Sequence, residues 1–118
     1  MDSRLIFISS KTFQSKIEWE QTKYPDSEWS AIKSDILSAK EQVYQIIVNF
    51  FDSDILHVSI GRKNSFTTNK NQILSQIETL INQSNFYIWN ERFTSTIEFN
   101  KIGVLRCGQV SRQQKATK

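Results

Sequence analysis

The sequence predicts an α+β domain: a mainly antiparallel sheet with a C-terminal three-strand meander, and two or three helices packed on one face. Three observations lead there. Apolar residues recur at steps of three and four from Trp29 to Phe50 and again from Ile73 to Ile81, the spacing of a helix with one buried stripe. From Phe86 onward the apolar period falls to two, as in strands. Polar and Gly-containing clusters separate these segments at hairpin distances, and a strand–helix–strand–helix–meander order gathers helices against a sheet. With 118 residues, 38% hydrophobic and 23% charged, the chain suits one domain, drawn here as residues 1–108 with a polar tail over 109–118.

Taken in order, Arg4 to Ser9 reads as a strand, because β-branched and aromatic side chains follow one another in a short run. Ser10 is placed to cap a helix to about Thr22 that carries Phe13 and Ile17 on one face; a strand from Gln14 to Glu20, with Ile17 and Trp19 alternating against Glu18 and Glu20, competes for residues 10–22. Pro25 disfavours helical geometry at Tyr24, and Asp26 or Ser27 then offers an N-cap. The following helix is expected over residues 27–51, with Trp29, Ile32, Ile36, Ala39, Val43, Ile46 and Phe50 on its stripe. That stripe is broader than a coiled-coil seam, while the β-branched and aromatic content of Tyr44 to Phe51 also suits a strand. Asp52-Ser53-Asp54 reads as a turn, Ile55 to Ile60 as a strand, and Gly61 to Thr68 as a loop or hairpin tip. Asn69 with Gln72 resembles a capping box before a helix ending near Asn82. Phe86–Trp89, Thr94–Phe99 and Val104–Cys107 are the meander strands, with Gly103 supplying a positive φ in the second turn.

Charge and cysteine content narrow the classes of function. The net charge of +3 resides in Arg112, Lys115 and Lys118, so the body is neutral and lacks the basic excess of a typical nucleic-acid binder. A single cysteine, Cys107, excludes an internal disulfide. No apolar stretch approaches the roughly 20 residues that cross a bilayer, and the apolar run Leu5 to Ile8 is too short for a secretory signal. The expectation is a cytoplasmic protein with no membrane partner; its oligomeric state stays open.

Catalytic chemistry is sparse. Gly61, Gly103 and Gly108 are too scattered to cradle a phosphate, so no cofactor is expected. Asp52, Asp54 and His57 are the nearest approach to a metal site, but turn residues beside a strand histidine account for them, and no metal is expected. Cys107 with His57, oriented by Glu98 or Asp54, has the types of a thiol nucleophile without its local signature, and Arg106 faces away from Cys107 on a strand. Paired acids such as Glu18 with Glu20 read as surface charge. The sequence is therefore expected to be non-enzymatic. Tyr87, Trp89, Arg92 and Phe93, with Arg62, Lys63 and Lys70, have residue types that stack bases and contact phosphates, yet no RNA-recognition or helix-turn-helix pattern accompanies them. Recognition of another protein, in concrete form an immunity- or antitoxin-like inhibitor of a toxin domain, needs the fewest special features. Its expected contacts are Tyr87, Trp89, Arg92 and Phe93, with a core role for Trp89 and Phe93 as the alternative.

Overall fold

A computed structural model describes residues 1–22 and 27–111. The elements are α1 (Ser3–Gln14), β1 (Ile17–Trp19), β2 (Ser30–Ala31), α2 (Ile36–Phe50), β3 (Ile55–Ser59), β4 (Phe66–Asn69), α3 (Ile73–Ile77), β5 (Phe86–Asn90), β6 (Ser95–Asn100) and β7 (Val104–Val110). The seven strands form one sheet in the order β1-β7-β6-β5-β3-β4, and β2 also pairs with β7. Every pairing is antiparallel. The predicted α+β class and C-terminal meander are both present.

Alternation sorts the strand side chains onto two faces. Leu56, Val58, Phe86, Ile88, Ile97, Phe99 and Leu105 point to one face and meet Ala39, Val43 and Ile47 of α2 and Ile73 and Ile77 of α3. Phe86 and Phe99 oppose each other in register, with ring centroids 4.4 Å apart. The other face receives α1, where Ile6 and Phe13 pack on Trp89 and Phe93. Two helices thus share one face as expected, and α1 occupies the reverse.

The N-terminal third departs from the sequence reading. Arg4 to Ser9 belongs to α1, not to a strand: Asp2 caps the helix by accepting from the Leu5 amide at 2.9 Å, and Ile6, Ser10 and Phe13 form its inward stripe. The helix ends at Gln14, and the competing strand reading holds for Ile17 to Trp19, with Trp19 opposite Gly108. The next helix starts at Ile36 rather than near 27, because Asp35 is its cap, accepting from the Ser38 amide at 2.9 Å; that bond holds the carboxyl below its usual pKa. Trp29 and Ile32 precede the helix on an extended segment that Gln42 fastens, its Oε1 accepting from the Lys33 amide at 2.8 Å and its Nε2 donating to the Ala31 carbonyl at 3.0 Å. Tyr44 to Phe50 is helical. Of the expected loop over 61–68, residues 61–65 form the hairpin turn while Phe66 to Thr68 belong to β4, paired with Val58 to Leu56, and α3 is shorter than predicted. Gly103 has the expected positive φ, +100°. β7 continues to Val110, paired with Ile17, so the folded part passes the 108 boundary. The stop at Tyr24–Pro25, the cap at Asp26 and the tail from 112 onward lie outside the described residues.

Candidate functional site

The sheet register lays side chains across the face beneath α1 in two adjacent rows. His57, Trp89, Thr96 and Gly108 stand opposite one another in the first, which Trp19 completes. The second runs Ser59, Tyr87, Glu98, Arg106. Helix α1 covers the first row from His57 to Thr96, where Trp89 and Thr96 are fully buried and His57 is 5% exposed, while Trp19 at its end is half-buried and leans over Arg106 of the second row. In the second row Tyr87, Glu98 and Arg106 are only half-buried.

Arg106 organises the open row. Its guanidinium carbon lies 3.8 Å from the centroid of Trp19 and 4.4 Å from that of Trp29, so the cation is held between two indoles. Its Nε donates to Glu98 at 2.8 Å and its Nη1 to Glu28 at 2.7 Å. Local pairing places these groups: Trp19 packs over Gly108, where any side chain would collide with it, and the pairing of Ser30 with Leu105 brings Trp29 alongside Arg106. Burial, followed by the charge of the neighbouring Glu98, pushes the Tyr87 hydroxyl up to about 12. The result is a patch of Trp, Tyr and Arg side chains whose cation is already neutralised. Such a patch loses little side-chain entropy on contact and contains the residue types most frequent at binding hot spots. Trp19, Trp29 and Arg106 were not among the sequence candidates; the alternation of Trp19 with Glu18 and Glu20 was the available signal.

The predicted contacts Tyr87, Trp89, Arg92 and Phe93 do not form one patch. Trp89 is core, its indole N–H donating to the buried Ser10 hydroxyl at 2.9 Å. Phe93 is 6% exposed and stacks on His57 at 5.0 Å; the turn from Asn90 places it at φ +58°, a left-handed geometry that its packing against Trp89 at 5.4 Å compensates. Arg92 is exposed but lines a polar cleft of about 250 Å³ with Asp52 and Glu91. Tyr87 alone borders the open row.

The reactive groups are kept apart. His57, expected on a polar strand face, lies under α1 with Nδ1 2.8 Å from the Thr67 hydroxyl and Nε2 3.3 Å from the Glu91 carbonyl; burial lowers its pKa. Cys107 packs against the α2/α3 core on the opposite face and three strand steps away, about 14 Å at the usual spacing. Burial, aided by Glu20, pushes its thiol up to about 12, the reverse of what a nucleophile needs. Among the described residues no group of three His, Cys, Asp or Glu side chains is placed to hold a metal ion, and no helix is long and apolar enough to cross a membrane. No protein-family model matches the chain, and neither a curated protein nor a solved structure is significantly similar to it.

Proposed function

We propose that this chain is a cytoplasmic binding protein that recognises another protein through the open row, with Trp19, Trp29, Arg106 and Tyr87 as its contacts. The observation that carries the reading is the half-buried Trp19–Arg106–Trp29 stack on a sheet face that α1 leaves uncovered. Association favours aromatic and Arg side chains already held in place, since little motion remains to be lost. In its most concrete form this is immunity-type inhibition, in which a preformed surface covers the working groups of a toxin domain. Nucleic acid suits the row less well, because Glu28 and Glu98 already neutralise Arg106. The test is affinity capture with the full chain and with Trp29→Ala. A protein retained by the first and lost by the second supports the reading; equal retention by both removes it.

A further inference from the structure

The outer side of α1 carries a feature that the open row does not use. At about 100° per residue Ile8 lies directly opposite the inward Ile6 and Ser10. Around it Met1, Leu5 and Ile8 remain 61%, 51% and 38% exposed. Exposed cations border this ridge: Arg4 and Lys11 on the helix, Lys16 just beyond its end, and Arg62 and Lys63 in the turn before β4. That turn is fastened to the helix by Ser3, whose hydroxyl donates to the Arg62 carbonyl at 2.6 Å and accepts from the Ser65 amide at 2.9 Å. Among the described residues the ion pairs join Lys40 to Glu78 and Arg106 to Glu28 and Glu98, and none takes up these five cations. Of the carboxylates bordering the helix, Asp2 caps it and Glu18 accepts from the Ser111 hydroxyl. The Ser111 amide donates to the Lys16 carbonyl at 2.7 Å. The body is neutral as a sum, yet these five exposed cations lie on α1, just past its end and in the turn fastened to it.

We infer that this face docks on an anionic lipid surface, with α1 lying along it and not through it. Cations alone would serve any polyanion. The exposed apolar ridge beside them distinguishes a bilayer, because Leu5 and Ile8 gain from the acyl boundary while Arg4 and Lys11 on the adjoining flank remain at headgroup level; a nucleic-acid backbone rewards only the cations. The helix is short and its ridge narrow, so the attachment is reversible and salt-sensitive.

The experiment is co-flotation of the full chain with vesicles of phosphatidylcholine alone and of equal parts phosphatidylcholine and phosphatidylglycerol, at low and high salt, with a mixed-sequence oligonucleotide as competitor. The expected result is binding to the anionic vesicles only, weakened by salt, reduced about five-fold by Lys11→Gln and by Arg62→Gln, and reduced again by Leu5→Ser with Ile8→Ser. These positions are exposed, so an unchanged melting temperature for each variant shows that the fold is intact. Absence of vesicle binding overturns the inference. So does binding unaffected by Leu5→Ser with Ile8→Ser, or abolished by neutralising Arg112, Lys115 and Lys118 while Lys11→Gln and Arg62→Gln change nothing, or displaced in favour of the oligonucleotide.

Discussion

Two rows of side chains, neighbours on one sheet face, were put to opposite uses. Both contain an aromatic residue of β5 and both end beside a tryptophan. In the row under α1, Trp89 fills the interior, its indole N–H satisfied by Ser10 and its ring packed among Phe13, Tyr87 and Phe93. In the neighbouring row, Arg106 pairs with Glu98 and Glu28, and Tyr87, Glu98 and Arg106 keep part of their surface in solvent. The difference lies in what crosses above. A helix over the first row makes it a stability element; its absence over the second leaves an ordered aromatic surface whose polar groups need nothing further from a partner. Substitutions in the first row should therefore be read in stability and those in the second in binding.

Trp89→Ala tests the first half of that division most strongly: it leaves a large cavity beneath α1 and removes the indole N–H from Ser10, and the unfolding free energy measured in denaturant should fall by about 3–5 kcal/mol. Gly108→Ala joins the two rows. A Cβ there would meet the Glu18 carbonyl oxygen at 2.8 Å, Ile17 at 2.5 Å and Trp19 at 2.8 Å, so about 1–3 kcal/mol should be lost and Trp19 displaced, weakening binding as well; an unchanged melting temperature would mean that β1 does not hold this position. His57 gives a pH signature. Its folded pKa is depressed below 6.5 by burial, so the unfolded chain takes up the proton first. Stability should be complete above about pH 6.5 and decline as pH falls below it, by at most about 1.4 kcal/mol per pH unit. His57→Gln should flatten that decline in a series of thermal melts. Smallest on stability is Trp29→Ala, expected within about 1 kcal/mol of wild type because its site is half open; a loss as large as that of Trp89→Ala would make the open row core and erase the distinction.

The parts of the fold legible in the sequence are those where one physical signal acts alone. β3 and the meander β5 to β7 show period two because one sheet face is uniformly apolar. α1 was obscured by Ser10: a serine stands on its inward stripe to accept from Trp89, leaving Arg4 to Ser9 looking like a strand. The start of α2 was obscured by coincidence. Trp29 and Ile32 fall in phase with the helix that follows them, yet Trp29 is drawn to Arg106 and Ile32 to the core, while Asp35 supplies the cap. The open row itself was illegible, since Glu28 and Arg106 are 78 residues apart and no local spacing announces their pairing. Trp89 and Phe93 were offered as contacts because aromatic residues near a turn have the right chemistry; their burial depends on α1, which the sequence had concealed.

Hydrogen–deuterium exchange of the captured complex against the free chain tests the central claim most directly. Slowed exchange should concentrate in residues 17–19, 28–31 and 104–108, around Trp19, Trp29 and Arg106, with α2 and α3 unchanged. Protection confined to α2 and α3, or to the β5–β6 turn around Arg92, would place the partner elsewhere and contradict the assignment of the open row to recognition.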